Sequence, residues 1–157
     1  MALLTGTEII EIAVDLEDSG EAFYTAAAQK ATDTKIKALF QELAAQERHH
    51  RRVFQQLIQP GEYAVEFVLA PEQWDEFRAY AGALLQQSFF ASRENALNRA
   101  AQAQDAQEAL LAAIRFEKES LLFFHEFKNA VRGAGQQAVE RVIQEERQHV
   151  QRLTAML

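Results

Sequence analysis

Two Glu-x-x-His motifs, Glu47-Arg48-His49-His50 and Glu146-Arg147-Gln148-His149, constrain this chain more than anything else in it. Each follows a lone glutamate, Glu17 or Glu117, by about thirty residues. The two copies are nearly in register, since Glu17 to Glu117 is 100 positions while Glu47 to Glu146 and His50 to His149 are each 99. On a helix, residues i and i+3 share a face, so the Glu and His of each motif can point at one centre.

The surroundings of each glutamate indicate where that centre lies. At 100° per residue, Glu17 falls among Ile10, Ala13, Val14, Gly20, Tyr24 and Ala28, and Glu47 among Ile36, Phe40, Leu43, Ala44, Phe54 and Ile58. Glu117 falls among Leu110, Ala113, Ile114, Leu121 and Phe124, and Glu146 among Val139, Val142, Ile143, Val150 and Leu153. All four lie within an apolar stripe, with His50 and His149 beside them. Surface salt bridges, a network of shared protons or a site that has lost its metal are the alternatives to a functional centre.

The same periodicity predicts four long helices, over 8–31, 33–58, 105–132 and 136–157. Thr7 is a plausible N-cap for the first and Thr32-Asp33-Thr34 offers caps for the second, which ends at Pro60-Gly61. Asp105 and Glu108 resemble a capping box for the third, and Gly133 and Gly135 mark its end. Short connections make each pair an antiparallel hairpin. Residues 59–104 form a long crossover, with a short helix from Pro71 through Trp74, Phe77 and Tyr80 and another from Ser92 through Ala101. No segment reads clearly as a strand. The expectation is a single all-α domain over 1–157, an antiparallel four-helix bundle of two hairpins joined by a crossover that carries the chain along the bundle.

Composition removes several functions. With no Cys, the sequence has no disulfide, thiolate zinc site, iron–sulfur cluster or thiol nucleophile. A formal charge of −7 with no Lys/Arg-rich run argues against nucleic acid and anionic membranes as partners. No apolar segment is long enough to span a bilayer, and the N-terminus lacks a secretory pattern, so a soluble, cytoplasmic protein is expected.

Four carboxylates in one apolar core would each cost several kcal/mol or take up protons. Two divalent cations carry +4 against their −4, with neutral imidazoles completing the shell. One Glu from each of two helices plus Glu-x-x-His from each of the other two is the ligand pattern of di-iron and di-manganese carboxylate bundles. Oxygen-rich sites with one imidazole per ion suit iron or manganese, and zinc could occupy the same ligands without redox chemistry.

At these residues the chain resembles the rubrerythrin branch of the ferritin-like superfamily. The matching stretches are Leu16 to Tyr24, Phe40 to His50, Ala113 to Phe124 and Glu145 to His149. The resemblance implies a ferritin-like fold and a non-haem di-iron centre that reduces hydrogen peroxide, a role in oxidative stress, or in relatives reacts with dioxygen or handles iron. It implies that Glu47 and Glu146 bridge two iron ions, that Glu17 and Glu117 are terminal ligands, and that His50 and His149 each serve one ion. In the implied peroxidase reaction each ferrous ion gives one electron, the O–O bond breaks, two waters leave and an outside reductant restores the diferrous state. A homodimer is expected from the family and from the apolar crossover.

Three departures from the family pattern stand out. Many rubrerythrins append a rubredoxin domain with four Cys; none occurs in this sequence, so either electrons come from a separate donor protein or the chain is not a peroxidase. Ser120 stands where they carry a further Glu, linked to redox-dependent ligand exchange. Tyr24 is matched in the second half by Phe124, so a phenol beside the ligands is present on one side only.

Other residues are weighed by helical position. Tyr24 is placed to hydrogen-bond a ligating carboxylate, or to be satisfied elsewhere in the core. Glu145 and Gln46 can be drawn as partners of His50 and His149 across the bundle, but a solvated helix edge is the preferred reading of both. His49 is expected at the surface or an interface, His125 as a packed edge residue, and Glu21 in a salt bridge at the rim. The competing functions are a peroxide-reducing enzyme, a ferroxidase or dioxygen-reducing oxidase, and a non-enzymatic metal-binding module holding zinc.

Overall fold

The computed structural model describes residues 6–59, 65–88 and 90–157. Among the described residues there are six helices, α1 (Gly6–Lys30), α2 (Thr34–Ile58), α3 (Pro71–Gln87), α4 (Arg93–Gln102), α5 (Ala106–Ala130) and α6 (Ala134–Ala155). The bundle is all-α, as the 3.6-residue periodicity predicts. Its four long helices are α1, α2, α5 and α6, with α4 packed on α1 and α3 lying against α5.

Local chemistry fixes most helix starts. Asp33 accepts from the backbone N–H groups of Lys35 and Ile36 at 2.8 and 3.0 Å, and Asp105 accepts from Glu108 N–H at 2.8 Å. The Glu108 carboxylate reaches back to Gln104 N–H rather than to Asp105, one residue further out than a capping box requires. Ser92 caps α4 through Asn95 N–H. Pro71 opens α3 at the first helical position, where its missing N–H has no intrahelical partner to lose. Thr7 is not an N-cap, because α1 already begins at Gly6. The Pro60-Gly61 stop expected for the second helix lies outside the described residues.

The strandless reading needs one correction. Glu66–Phe67 (β1) pairs antiparallel with Val131–Arg132 (β2), Glu66 opposite Arg132 and Phe67 opposite Val131. So α5 ends at Ala130 and the chain leaves it extended, before Gly133, at φ 72°, turns it into α6. A positive φ is cheap only for glycine.

The core divides in two. One apolar cluster holds Phe23, Tyr24, Phe40, Leu43, Ala113, Phe116 and Leu153; the other holds Ile10, Ala13, Leu16, Phe54, Phe124, Val139 and Ile143. Along every long helix the predicted ligands fall between residues of the two clusters. The order of those residues makes α1 parallel to α6 and antiparallel to α2 and α5. Consequently α2 ends beside one cluster and α5 begins beside the other. The crossover covers that length with α3, which adds Phe77 and Ala81 to the first-reached cluster, and α4, which adds Ala96 and Ala100 to the second.

Candidate metal centre

The layer between the clusters contains Glu17, Glu47, His50, Glu117, Glu146 and His149, each no more than 1% exposed. All six predicted residues are brought together. Their ligand atoms form two groups, Glu17-Glu47-His50-Glu146 and Glu47-Glu117-Glu146-His149, each spanning no more than 4.8 Å. Glu47 and Glu146 belong to both.

Packing makes room for this layer at Gly20, one turn after Glu17. A Cβ there would lie 2.7 Å from the Phe116 ring and 2.9 Å from Glu47 Oε2. Only a bare backbone lets the ring and the carboxylate approach α1 together. The position equivalent to Gly20 in the second half is Ser120, which is buried with its hydroxyl unpaired.

The carboxylates are not satisfied by one another. Both oxygens of Glu17 and of Glu47, Oε2 of Glu117 and of Glu146, and Nδ1 of His149 are buried without a hydrogen-bond partner. His149 Nδ1 is 2.7 Å from Glu146 Oε2 and 3.3 Å from both Glu47 Oε1 and Glu117 Oε1, close enough for attraction but without hydrogen-bond directionality. Buried polar atoms are ordinarily paired. Lone-pair donors converging on shared points fit a pair of cations.

Charge without a counter-ion has the expected effects on protonation. Burial, reinforced by the charges of Glu47 and Glu146, pushes Glu17 well above the usual carboxylate range. Burial and the charges of Glu146 and Glu47 do the same to Glu117. Burial opposes charge on His50, but its hydrogen bonds to Glu145 and Glu146 and the Glu17 carboxylate 3.7 Å away overcome it and raise the imidazole well above its ordinary value. Burial likewise opposes charge on His149, and Glu117, Glu146 and Glu47 raise it. Glu146 is held low: burial alone would raise it, but the His149 ring 2.7 Å away and the His50 ring hydrogen-bonded to it lower it. The metal-free cluster thus holds protons in the volume where cations would sit.

Beyond the six, Tyr24 donates its phenolic hydrogen to Glu117 Oε1. Tyr24 is fully buried, and burial followed by the Glu117 charge pushes its ionisation well up, so it stays a donor. The helix-edge reading of Glu145 and Gln46 is overturned. His50 Nε2 lies 2.6 Å from Glu145 Oε2, and His149 Nε2 lies 2.5 Å from Gln46 Oε1. Each partner immediately precedes a motif glutamate and serves the histidine of the opposite motif, and that symmetry was the available signal. His49 is exposed, as expected, but so is His125, which is not a packed edge residue. Glu21 forms the rim salt bridge, 2.7 Å from Arg48 Nε and 2.6 Å from Arg51 Nη1. Arg51 and Arg93 also reach Asp18, tying α2 and α4 to α1.

Comparison with known proteins identifies the family. The family model for rubrerythrin matches residues 8–101, more than half of the chain. The chain therefore belongs to the rubrerythrin family, whose ferritin-like di-iron fold its bundle shares. It is similar to a solved structure from Thermotoga maritima described as a "putative ferritin-like diiron-carboxylate protein", with 23% identity and a TM-score of 0.67 over 99% of this chain and 96% of that one. At that identity the likeness speaks for the fold alone. No curated protein matches the chain. No helix among the described residues is long and apolar enough to cross a membrane.

Proposed function

We propose that this protein is a non-haem di-iron oxidoreductase of the rubrerythrin type that reduces hydrogen peroxide to water with electrons from a separate donor protein. The observation that carries this reading is the set of buried, unpaired carboxylate oxygens shared between two overlapping ligand groups. Glu47 and Glu146 would bridge two iron ions, Glu17 and Glu117 would complete the ends, and His50 and His149 would each bind one ion through Nδ1. When bound, two ferrous ions supply the two electrons that cleave an O–O bond.

The chain's own residues do the rest. The apolar clusters on either side exclude bulk water, which strengthens every electrostatic contact in the layer. Glu145 and Gln46 accept from the outer ring nitrogens, holding each imidazole with Nδ1 inward. Tyr24 keeps a proton on its phenolic oxygen beside Glu117 Oε1, the one hydroxyl donor among the described residues seen to reach a predicted ligand. Reduction of one peroxide consumes two electrons and two protons and releases two waters. We assign the protein to the cytoplasm and to a homodimer.

A second reading, ferrous oxidation or dioxygen reduction, is favoured by Ser120, whose hydroxyl replaces the extra family carboxylate and engages nothing. Stopped-flow oxidation of protein loaded anaerobically with two ferrous ions per chain separates the two. Much faster oxidation by hydrogen peroxide than by air-saturated buffer is expected. Equal or faster oxidation by dioxygen would move the function to an oxidase or iron-handling protein, and a chain that retains zinc in preference to iron would make it a non-enzymatic module.

A further inference from the structure

The two halves of the centre match in their six ligands and differ in what stands behind them. His50 Nδ1 faces the cluster, 2.9 Å from Glu146 Oε1, and its Nε2 meets the carboxylate of Glu145. His149 Nδ1 also faces inward, but its Nε2 meets the amide oxygen of Gln46. The terminal carboxylates differ as well. Tyr24 donates to Glu117, whereas neither oxygen of Glu17 has a partner and the residue matching Tyr24 in the other half, Phe124, has no donor.

Resting on the two-metal reading, we propose that the two subsites are unequal by construction: the Glu17–His50 subsite binds its divalent cation tightly and fills first, and the Glu117–His149 subsite fills second and exchanges its ion. Two differences act in the same direction. A carboxylate accepting the outer N–H of an imidazole makes the inner nitrogen a stronger donor and adds a full negative charge one ring away from the ion; an amide oxygen adds only a dipole. A phenol donating to Glu117 draws electron density from that carboxylate and occupies a lone pair that Glu17 keeps free for the ion. The side chain of Glu145 is 45% exposed, so its carboxylate can stay charged at the protein surface without a buried-charge penalty. Glu145 is thus a positioning residue that sets the order of loading, and Gln46 is the equivalent residue on the weaker side.

The test is an anaerobic titration of the metal-free full chain with cobalt(II), followed by calorimetry and visible absorption. Tyr24 reports on the second subsite through the near-ultraviolet difference signal that disappears in Tyr24→Phe. The wild type should bind in two unequal steps, with the Tyr24 signal arising at the second equivalent. Glu145→Gln should weaken the first step about 10–100-fold and bring the two steps together. The reciprocal Gln46→Glu should tighten the second step, a gain that mere structural damage would not produce. Two equal steps, a Tyr24 signal at the first equivalent, or a Glu145→Gln protein that retains helix content and an unaltered isotherm would overturn the proposal. Binding of fewer than two cobalt ions per wild-type chain would overturn the two-metal reading on which it rests.

Discussion

The polar layer and the apolar clusters flanking it are built on the same helix faces, and they are held together in opposite ways. Leu43 and Phe54 lie one turn or two from Glu47 on α2, are fully buried as it is, and have all their contacts within the chain. Glu47 has two oxygens that no donor meets. An apolar side chain is satisfied by packing alone, whereas a buried carboxylate needs a specific partner. The clusters thus hold the bundle, and the layer uses that rigidity to keep charges together that would otherwise separate. Disrupting either region should therefore leave a different property intact.

Glu47→Ala or Glu146→Ala should have the largest effect, because each removes a residue common to both ligand groups. Metal content should fall below two ions per chain while circular dichroism reports unchanged helix content; full two-metal occupancy in either variant would sink the ligand assignment. Phe124→Ala should do the reverse. This fully buried ring stacks on Phe54 at 5.1 Å between centroids, and its removal should cost about 3–5 kcal/mol in chemical denaturation with two metals still bound. Gly20→Ala lies on the boundary and should damage both regions, costing about 1–3 kcal/mol of stability and weakening metal binding as Phe116 and Glu47 are displaced.

The smallest effect is a pH dependence of opposite sign with and without metal. In the metal-free protein Glu17, Glu117 and His50 are raised, so each holds a proton in the folded state that it has released when unfolded. Stability from such groups is fully present below their unfolded values and is lost as pH rises through the folded ones, so thermal stability should decline as pH rises above the usual carboxylate range. Metal ligands must be deprotonated, so the increase in melting temperature on loading should grow over the same range. The lowered Glu146 acts the other way, but only in more acidic solution, as pH falls through the folded value. Parallel pH profiles with and without metal would mean that cations and protons do not compete for this layer.

The clustering of the six candidate residues and the bundle were legible in the sequence because both rest on local periodicity. Glu-x-x-His on an apolar stripe specifies its own face, and two copies 99 positions apart specify each other. Features that depend on the register of one helix against another were not. Glu145 and Gln46 sit at the margin of their stripes, and only the approach of α2 to α6 turns them toward His50 and His149. Tyr24 could be assigned to the core from α1 alone, but its acceptor is on α5. The β1–β2 pair is two residues long on each side, too short for alternation to mark it. His125 is exposed because the stripe around Phe123, Phe124 and Phe127 is narrower than its neighbours suggest.

The most direct test of a two-iron layer is diffraction from crystals of the iron-loaded protein, with anomalous data collected on either side of the iron absorption edge. Two peaks per chain are expected in the layer between the apolar clusters, one within ligand distance of Glu17 and His50, the other of Glu117 and His149, with Glu47 and Glu146 touching both. A single peak, or iron bound only at surface carboxylates with the six residues still paired among themselves, would contradict it.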